Sequence, residues 1–150
     1  MASTLVVMNI HLVFHTKQAT PMRKEDLSRI HDYIGGIIKG MGENPIAIGG
    51  TENHVHILCT LPKGMPLTDF VRTIKAESSR WVKSIDSYYR VFAWQEGYGT
   101  FSVSASKIDV IKAYIHNQEE HHRTITFKEE YIRFLEAYHK EYDERYLETD

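Results

Sequence analysis

An α+β fold, with a ferredoxin-like split β-α-β antiparallel sheet, helices on one face and further helices at the C-terminus, is predicted by three features of the sequence. Apolar residues alternate with a period of two near the start, and two later segments repeat them with the helical period of 3.6. These and the remaining apolar segments fall in the order strand, helix, strand, strand, helix, strand. A chain of 150 residues buries one core and is too short for two.

In the first strand, Val6, Met8, Ile10, Leu12 and Phe14 take every second position between Leu5 and His15, as a strand with one buried face requires. After Pro21 the period becomes helical: Leu27, Ile30, Ile34, Ile37 and Met41 line one stripe, ended by Gly42, Asn44 and Pro45. Gly35 and Gly36 inside this helix each cost about 1 kcal/mol relative to alanine, which points to close packing against a sheet. Ile46 to Ile48 and His54 to Thr60 read as short strands joined by a turn at Gly49–Gly50. A helix follows from about Leu67 to Ile85, apolar at Leu67, Phe70, Val71, Ile74, Trp81 and Ile85. Phe92 to Ser104 is aromatic and β-branched but carries Gly97 and Gly99, the pattern of a bent or bulged strand. Ser106 and Asp109 have capping-box spacing at the head of a helix reaching about Arg123. Phe127, Tyr131, Phe134, Leu135, Tyr138 and Tyr142 mark a last amphipathic helix with an acidic outer face.

The single cysteine, Cys59, excludes an internal disulfide framework and suits a reducing compartment. The apolar start has no basic leader and is interrupted by Asn9 and His11, so it reads as neither a signal peptide nor a membrane span. A soluble cytoplasmic protein with no membrane partner is the expectation. The formal net charge of −2 hides an asymmetry. Residues 1–118 hold 13 Lys+Arg against 10 Asp+Glu, whereas residues 119–150 hold five against ten, a mildly basic body with an acidic tail.

Two segments carry side chains suited to chemistry. In Asn53-His54-Val55-His56 alternate residues share a strand face, so the imidazoles of His54 and His56 converge. Two half-exposed strand histidines and a metal site are both consistent with that pattern. In the helix after Ser106, Tyr114 and Gln118 lie one turn apart with His121 near the same stripe, offering a phenol and an amide oxygen together. Two neutral imidazoles and an amide oxygen suit Mg²⁺ or Mn²⁺ with positions left open for phosphate oxygens. A phenol one turn from a metal ligand is placed to attack phosphorus, although at an ordinary pKa near 10 it needs help at neutral pH. His11 and His15 either face this site or fill the sheet, and His121 or His122 is an alternative ligand to Gln118.

The His54-Val55-His56 strand, the segment Trp94 to Ser104, and Tyr114 with Gln118 on a helix continuing to His121-His122 resemble the HUH-superfamily single-tyrosine transposases of small insertion sequences. The resemblance implies that His54 and His56 bind a divalent metal, Mg²⁺ or Mn²⁺, with Gln118 as third ligand and Tyr114 as catalytic nucleophile. It implies cleavage and rejoining of single-stranded DNA through a 5′-phosphotyrosine. It further implies recognition of a DNA hairpin by a homodimer whose active sites are shared between subunits. On this reading residues 1–123 form the catalytic domain, and residues 124–150 form an acidic C-terminal helix within the same domain.

For DNA binding, Arg72, Lys75 and Lys83 fall with Ser79 on one stripe of the Leu67–Ile85 helix, away from its apolar side. The same stripe is also what a solvated helix face looks like. Trp94, Tyr98 and Phe101 are candidates either for stacking on bases or for the core. The alternative from another class is a non-catalytic ferredoxin-like nucleic-acid-binding or regulatory module in which His54 and His56 are structural.

Overall fold

The computed structural model describes residues 3–17, 20–122 and 124–138. Four strands, β1 (Asn9–His15), β2 (Pro45–Thr51), β3 (His54–Thr60) and β4 (Gly99–Val103), form one antiparallel sheet in the order β2-β3-β1-β4. This is the split β-α-β order, with β1 and β3 at the centre. The helices are α1 (Leu27–Gly40), α2 (Leu67–Ile85), α3 (Ile108–His116), α4 (Gln118–His121) and α5 (Phe127–Ala137).

Strand alternation sorts the side chains into two layers. Ile10, Leu12, Phe14, Val55, Ile57 and Cys59 face one way and join Ile30, Ile34 and Ile38 of α1 and Phe70, Val71 and Ile74 of α2 in the main core. Cys59 is buried there, and burial followed by the nearby Glu43 pushes its thiol up to about 12, so it is inert. On the other face Ala47, Leu58, Val103 and Ile115 form a second, smaller core beneath α3. The helices α1 and α2 thus share one face as the element order predicts, and the C-terminal helices occupy the opposite one.

Five local expectations need correction. β1 begins at Asn9, and Val6 and Met8 are exposed, since among the described residues no element packs over the chain before the sheet starts. β2 runs through Gly49 and Gly50 to Thr51, and the turn falls at Glu52–Asn53. Gly49 lies beneath α3: a Cβ there would come within 2.3 Å of the Ile115 carbonyl oxygen, so glycine serves close approach of a helix rather than a turn. Only Gly99–Val103 of the long aromatic segment is strand; Trp94 forms an isolated bridge to Thr16, and Gly97 at φ +85° turns the chain between them. The Ser106 cap does not form, since a 3₁₀ turn over Ala105–Lys107 precedes α3. The capping box sits instead at Thr126 and Glu129, at the head of α5. Finally, the helix breaks at Asn117, whose N–H is shared by the Ala113 and Tyr114 carbonyls. Arg123, Tyr142 and the end of the acidic tail lie outside the described residues.

Candidate active site

His54 and His56 point to the face under α3 and α5 and are fully buried. Each ring is held at Nδ1 and turns Nε2 inward. His54 Nδ1 lies 2.7 Å from Asn53 Oδ1 and 3.1 Å from Thr51 Oγ1, while His56 Nδ1 lies 2.7 Å from His11 Nε2. His122 follows the same scheme, its Nδ1 donating to the Ile125 carbonyl at 2.9 Å. A carbonyl only accepts, so Nδ1 carries a proton and Nε2 is the atom turned to the interior. That is the orientation metal-binding histidines adopt.

Into the space between these rings comes Glu130, from the first turns of α5 and 2% exposed. Its Oε1 lies 2.8 Å from His56 Nε2 and 3.8 Å from His54 Nε2; its Oε2 lies 3.3 Å from His122 Nε2. The ligand atoms of His54, His56, His122 and Glu130 all fall within 4.8 Å of one another. Gln118, also buried, places Oε1 3.0 Å from His54 Nε2 and donates from Nε2 to Glu130 Oε2 at 3.2 Å.

A divalent cation fits this donor set. With His54 donating from Nδ1 to Asn53, its Nε2 lone pair confronts the oxygen of Gln118, and two acceptors facing each other leave room for a cation. His122 Nε2 is buried without a hydrogen-bond partner although a carboxylate oxygen stands opposite. Burial first, and the neighbouring His56 second, lower both His54 and His11 to about 3, so both are neutral at pH 7, the form a metal requires. For Glu130, burial works against ionisation, but the His122 and His56 imidazoles outweigh it and hold the carboxyl well below its usual range.

Tyr114 reaches the same point from α3. Its hydroxyl donates to Glu130 Oε2 and lies 3.3 Å from His121 Nε2, and its ring centroid is 5.7 Å from that of His56. Burial above all, then Glu130, raises its pKa, so in this state it is a phenol. Ile115, the next residue, is the one that packs on Gly49, and the close helix–sheet approach there sets how far Tyr114 projects over β3.

The sequence-derived candidates divide. Tyr114, His54, His56 and Gln118 converge, joined by His11, His121 and His122. Arg72, Lys75 and Lys83 do not reach this point, because α2 lies on the other face of the sheet. Arg72 pairs with Asp69 at 2.9 Å on the surface, and Lys83 is exposed. Lys75 is half-buried and donates to the carbonyls of Gln95 and Gly97 at 2.8 and 2.9 Å, pinning the turn before β4. Trp94 and Phe101 are core residues: the first donates to Ser78 Oγ, and the second stacks on Phe134. Sequence reasoning missed Glu130. The available signal was an acid on the apolar stripe of its own helix, three residues after Phe127 and four before Phe134, where a carboxylate survives only with partners.

Paired imidazoles on a central strand, with a carboxylate and a third imidazole beside them, form a group that could hold a metal ion, and a phenol on the helix after the last strand stands at its edge. The chain belongs to the IS200-like transposase family, whose model, described as "Transposase IS200 like", matches residues 4–118. Two solved structures share the fold. A candidate transposase from Deinococcus radiodurans R1 is 22% identical over 79% of this chain and 95% of its own, with a TM-score of 0.61. A REP-associated tyrosine transposase bound to a REP hairpin is 13% identical over 77% of this chain and 70% of its own, with a TM-score of 0.53. No curated protein is similar enough in sequence to match. His122 and Glu130 lie beyond the end of the family match.

Proposed function

We propose that this chain is a metal-dependent transposase that cleaves and rejoins single-stranded DNA through Tyr114. The observation that carries the reading is the meeting, inside one chain, of the Tyr114 hydroxyl and the His56 imidazole on the two oxygens of a single carboxylate, Glu130.

His54, His56, His122 and Glu130 would hold the ion, with Gln118 beside them as the amide ligand that the resemblance implies. A divalent cation held there would draw charge from the scissile phosphodiester and stabilise the phenolate character that Tyr114 gains as its proton leaves. The chain's own residues supply the rest. Glu130 Oε2 holds the Tyr114 proton in a hydrogen bond at the outset and so aims the phenol oxygen's lone pairs. As the phenol gives its proton to Glu130 its oxygen forms a bond to phosphorus, the bond from phosphorus to the 3′-oxygen breaks, and that oxygen takes the proton from Glu130 and leaves as a 3′-hydroxyl. Tyr114 is then joined to the 5′-phosphate, and attack by another 3′-hydroxyl reverses the step on a new strand. No high-energy cofactor is needed, because one phosphodiester replaces another.

Hairpin DNA is the proposed substrate, since the family is shown and the second structural relative holds such a hairpin. Arg72 and Lys83, exposed on the opposite face, are placed for phosphates outside the cleavage point, whereas Lys75 serves the turn. The assembly within one chain supports a site that works in cis, so a homodimer would bring two complete sites to two DNA ends. A buried, inert Cys59 agrees with a cytoplasmic location, and among the described residues no helix is long and apolar enough to cross a membrane.

The direct test is incubation with a hairpin-bearing oligonucleotide and Mn²⁺, followed by denaturing electrophoresis. The expected result is a covalent adduct with the native chain and none with Tyr114→Phe, which loses one oxygen and keeps the ring packing. An adduct that persists in Tyr114→Phe overturns the assignment.

A further inference from the structure

The strand ends nearest His54 border a cavity that the chemistry above does not use. It measures about 270 Å³ and is lined by His15 at the end of β1, Glu96 and Tyr98 of the turn before β4, and Phe127, Lys128 and Tyr131 of α5. Phe127 is its wall toward the active site: the ring lies 5.0 Å from that of His15 and 4.7 Å from that of His54. Phe127 also borders a second cavity of about 460 Å³, which runs past Asn53 and His122. The two cavities therefore lie on either side of one aromatic ring that touches a metal ligand.

The opposite wall is built to stay in place. Gly97 takes φ +85°, a conformation that other residues resist, and the half-buried Lys75 ammonium fastens the carbonyls on either side of Glu96. Tyr131 is seated over Gly99, where a Cβ would come within 2.6 Å of its hydroxyl. The rings of Phe14, His15, Tyr98, Phe127 and Tyr131, a carboxylate at an exposed position and a lysine thus surround a space on the scale of one flat heterocycle, smaller than an ordinary small-molecule site.

We infer that this cavity receives one unstacked nucleobase of the single strand, next to the scissile phosphate, and prefers bases that carry an exocyclic amino group. The inference rests on the proposed single-strand substrate and deepens it. Aromatic rings stack on any base, which gives affinity without sequence preference. Discrimination comes from Glu96. A carboxylate accepts hydrogen bonds from the amino groups of adenine, cytosine or guanine, whose pairing edges are free in a single strand, whereas thymine offers only N3–H, set between two carbonyl oxygens that repel the carboxylate. Continuity with the active site through Phe127 is what favours a base over an apolar side chain of a protein partner. The strand that delivers phosphate to Tyr114 passes this opening.

The experiment uses the full chain with Tyr114→Phe and chelator present, so that neither cleavage nor metal enters the reading. Short dA, dC, dG and dT homo-oligonucleotides are titrated against this protein and against the same protein carrying Tyr98→Ala or Glu96→Gln. Tyr98→Ala is expected to weaken binding of all four by on the order of tenfold, the effect of removing one stacking ring. Glu96→Gln, a conservative change at an exposed residue that leaves the fold intact, is expected to raise dT relative to the other three. Unchanged affinity and unchanged base preference in both variants would overturn the inference, as would a native preference for dT. If the homo-oligonucleotides respond as expected while the native chain forms no adduct with Mn²⁺, the cavity stands and the transposase reading falls. An adduct formed with no response here has the opposite meaning.

Discussion

Glu130 and Gly49 carry the site at the scale of single residues, one by what it adds and the other by what it lacks. Glu130 is almost wholly buried and stands between His56, His122, Gln118 and Tyr114. Glu130→Gln keeps the shape and removes the negative charge that would draw a cation in among the imidazoles. Metal affinity, measured by calorimetry or by Mn²⁺ paramagnetic relaxation, should fall about 10- to 100-fold, with adduct formation falling alongside. Gly49→Ala touches no ligand. Its added methyl would stand 2.3 Å from the Ile115 carbonyl, a backbone atom that moves only if α3 moves. Thermal unfolding should report a loss of about 1–3 kcal/mol, as overpacking typically does. Adduct formation should fall much further than the loss of folded protein explains, because α3 carries Tyr114. Equal losses in stability and adduct would mean that the helix–sheet approach does not position the phenol.

At the scale of elements, α5 is the part that the family match leaves out and the site nevertheless uses. Phe134 lies 5.0 Å from the rings of both His11 and Phe101, Leu135 is buried, and Glu130 reaches the histidines. Ending the chain after residue 123 should therefore cost about 1.5–3 kcal/mol for each apolar side chain uncovered and abolish tight metal binding. Denaturant unfolding and a metal titration on the shortened chain measure both; undiminished metal binding would move the ion away from Glu130. The sequence made much of this frame readable. Period-two alternation locates β1, short apolar and β-branched runs beside glycine and proline locate the other three strands, the 3.6 period locates the long helices, and the alternation in Asn53-His54-Val55-His56 puts both imidazoles on one face. What it left dark depended on contacts between distant segments. Gly49–Gly50 looks like a turn locally and becomes strand because α3 needs a surface without side chains. Ser106 has a capping partner at the right spacing, yet the 3₁₀ turn takes its place. Lys75 belongs to a basic stripe by spacing, but two carbonyls from a loop 20 residues away claim its ammonium. Glu130 was visible only as a charge where the helix should be apolar.

The question for the whole molecule is whether one chain is enough. Resemblance to single-tyrosine transposases implies sites shared between subunits, in which the imidazole pair of one meets the tyrosine of the other. Here Tyr114, His54, His56, Gln118 and Glu130 all converge within one chain, and the helix break at Asn117 leaves the Tyr114 carbonyl and Gln118 side chain still in contact at 3.4 Å. Mixing two inactive proteins separates the arrangements. One carries His54→Ala with His56→Ala and keeps the phenol; the other carries Tyr114→Phe and keeps the imidazoles. If sites are shared, mixed dimers contain one site with every residue intact, and adduct returns as the two are combined and allowed to exchange. If each site is built from one chain, every site in every mixture lacks either the metal ligands or the nucleophile. The cis geometry predicts no recovery at any ratio, with the adduct staying at the level of the separate variants, while the native chain mixed with either variant loses activity only in proportion to dilution. Recovery of adduct in the mixture would mean that α3 is exchanged between subunits when DNA is bound, and that Glu130 holds Tyr114 in a resting position rather than a reacting one.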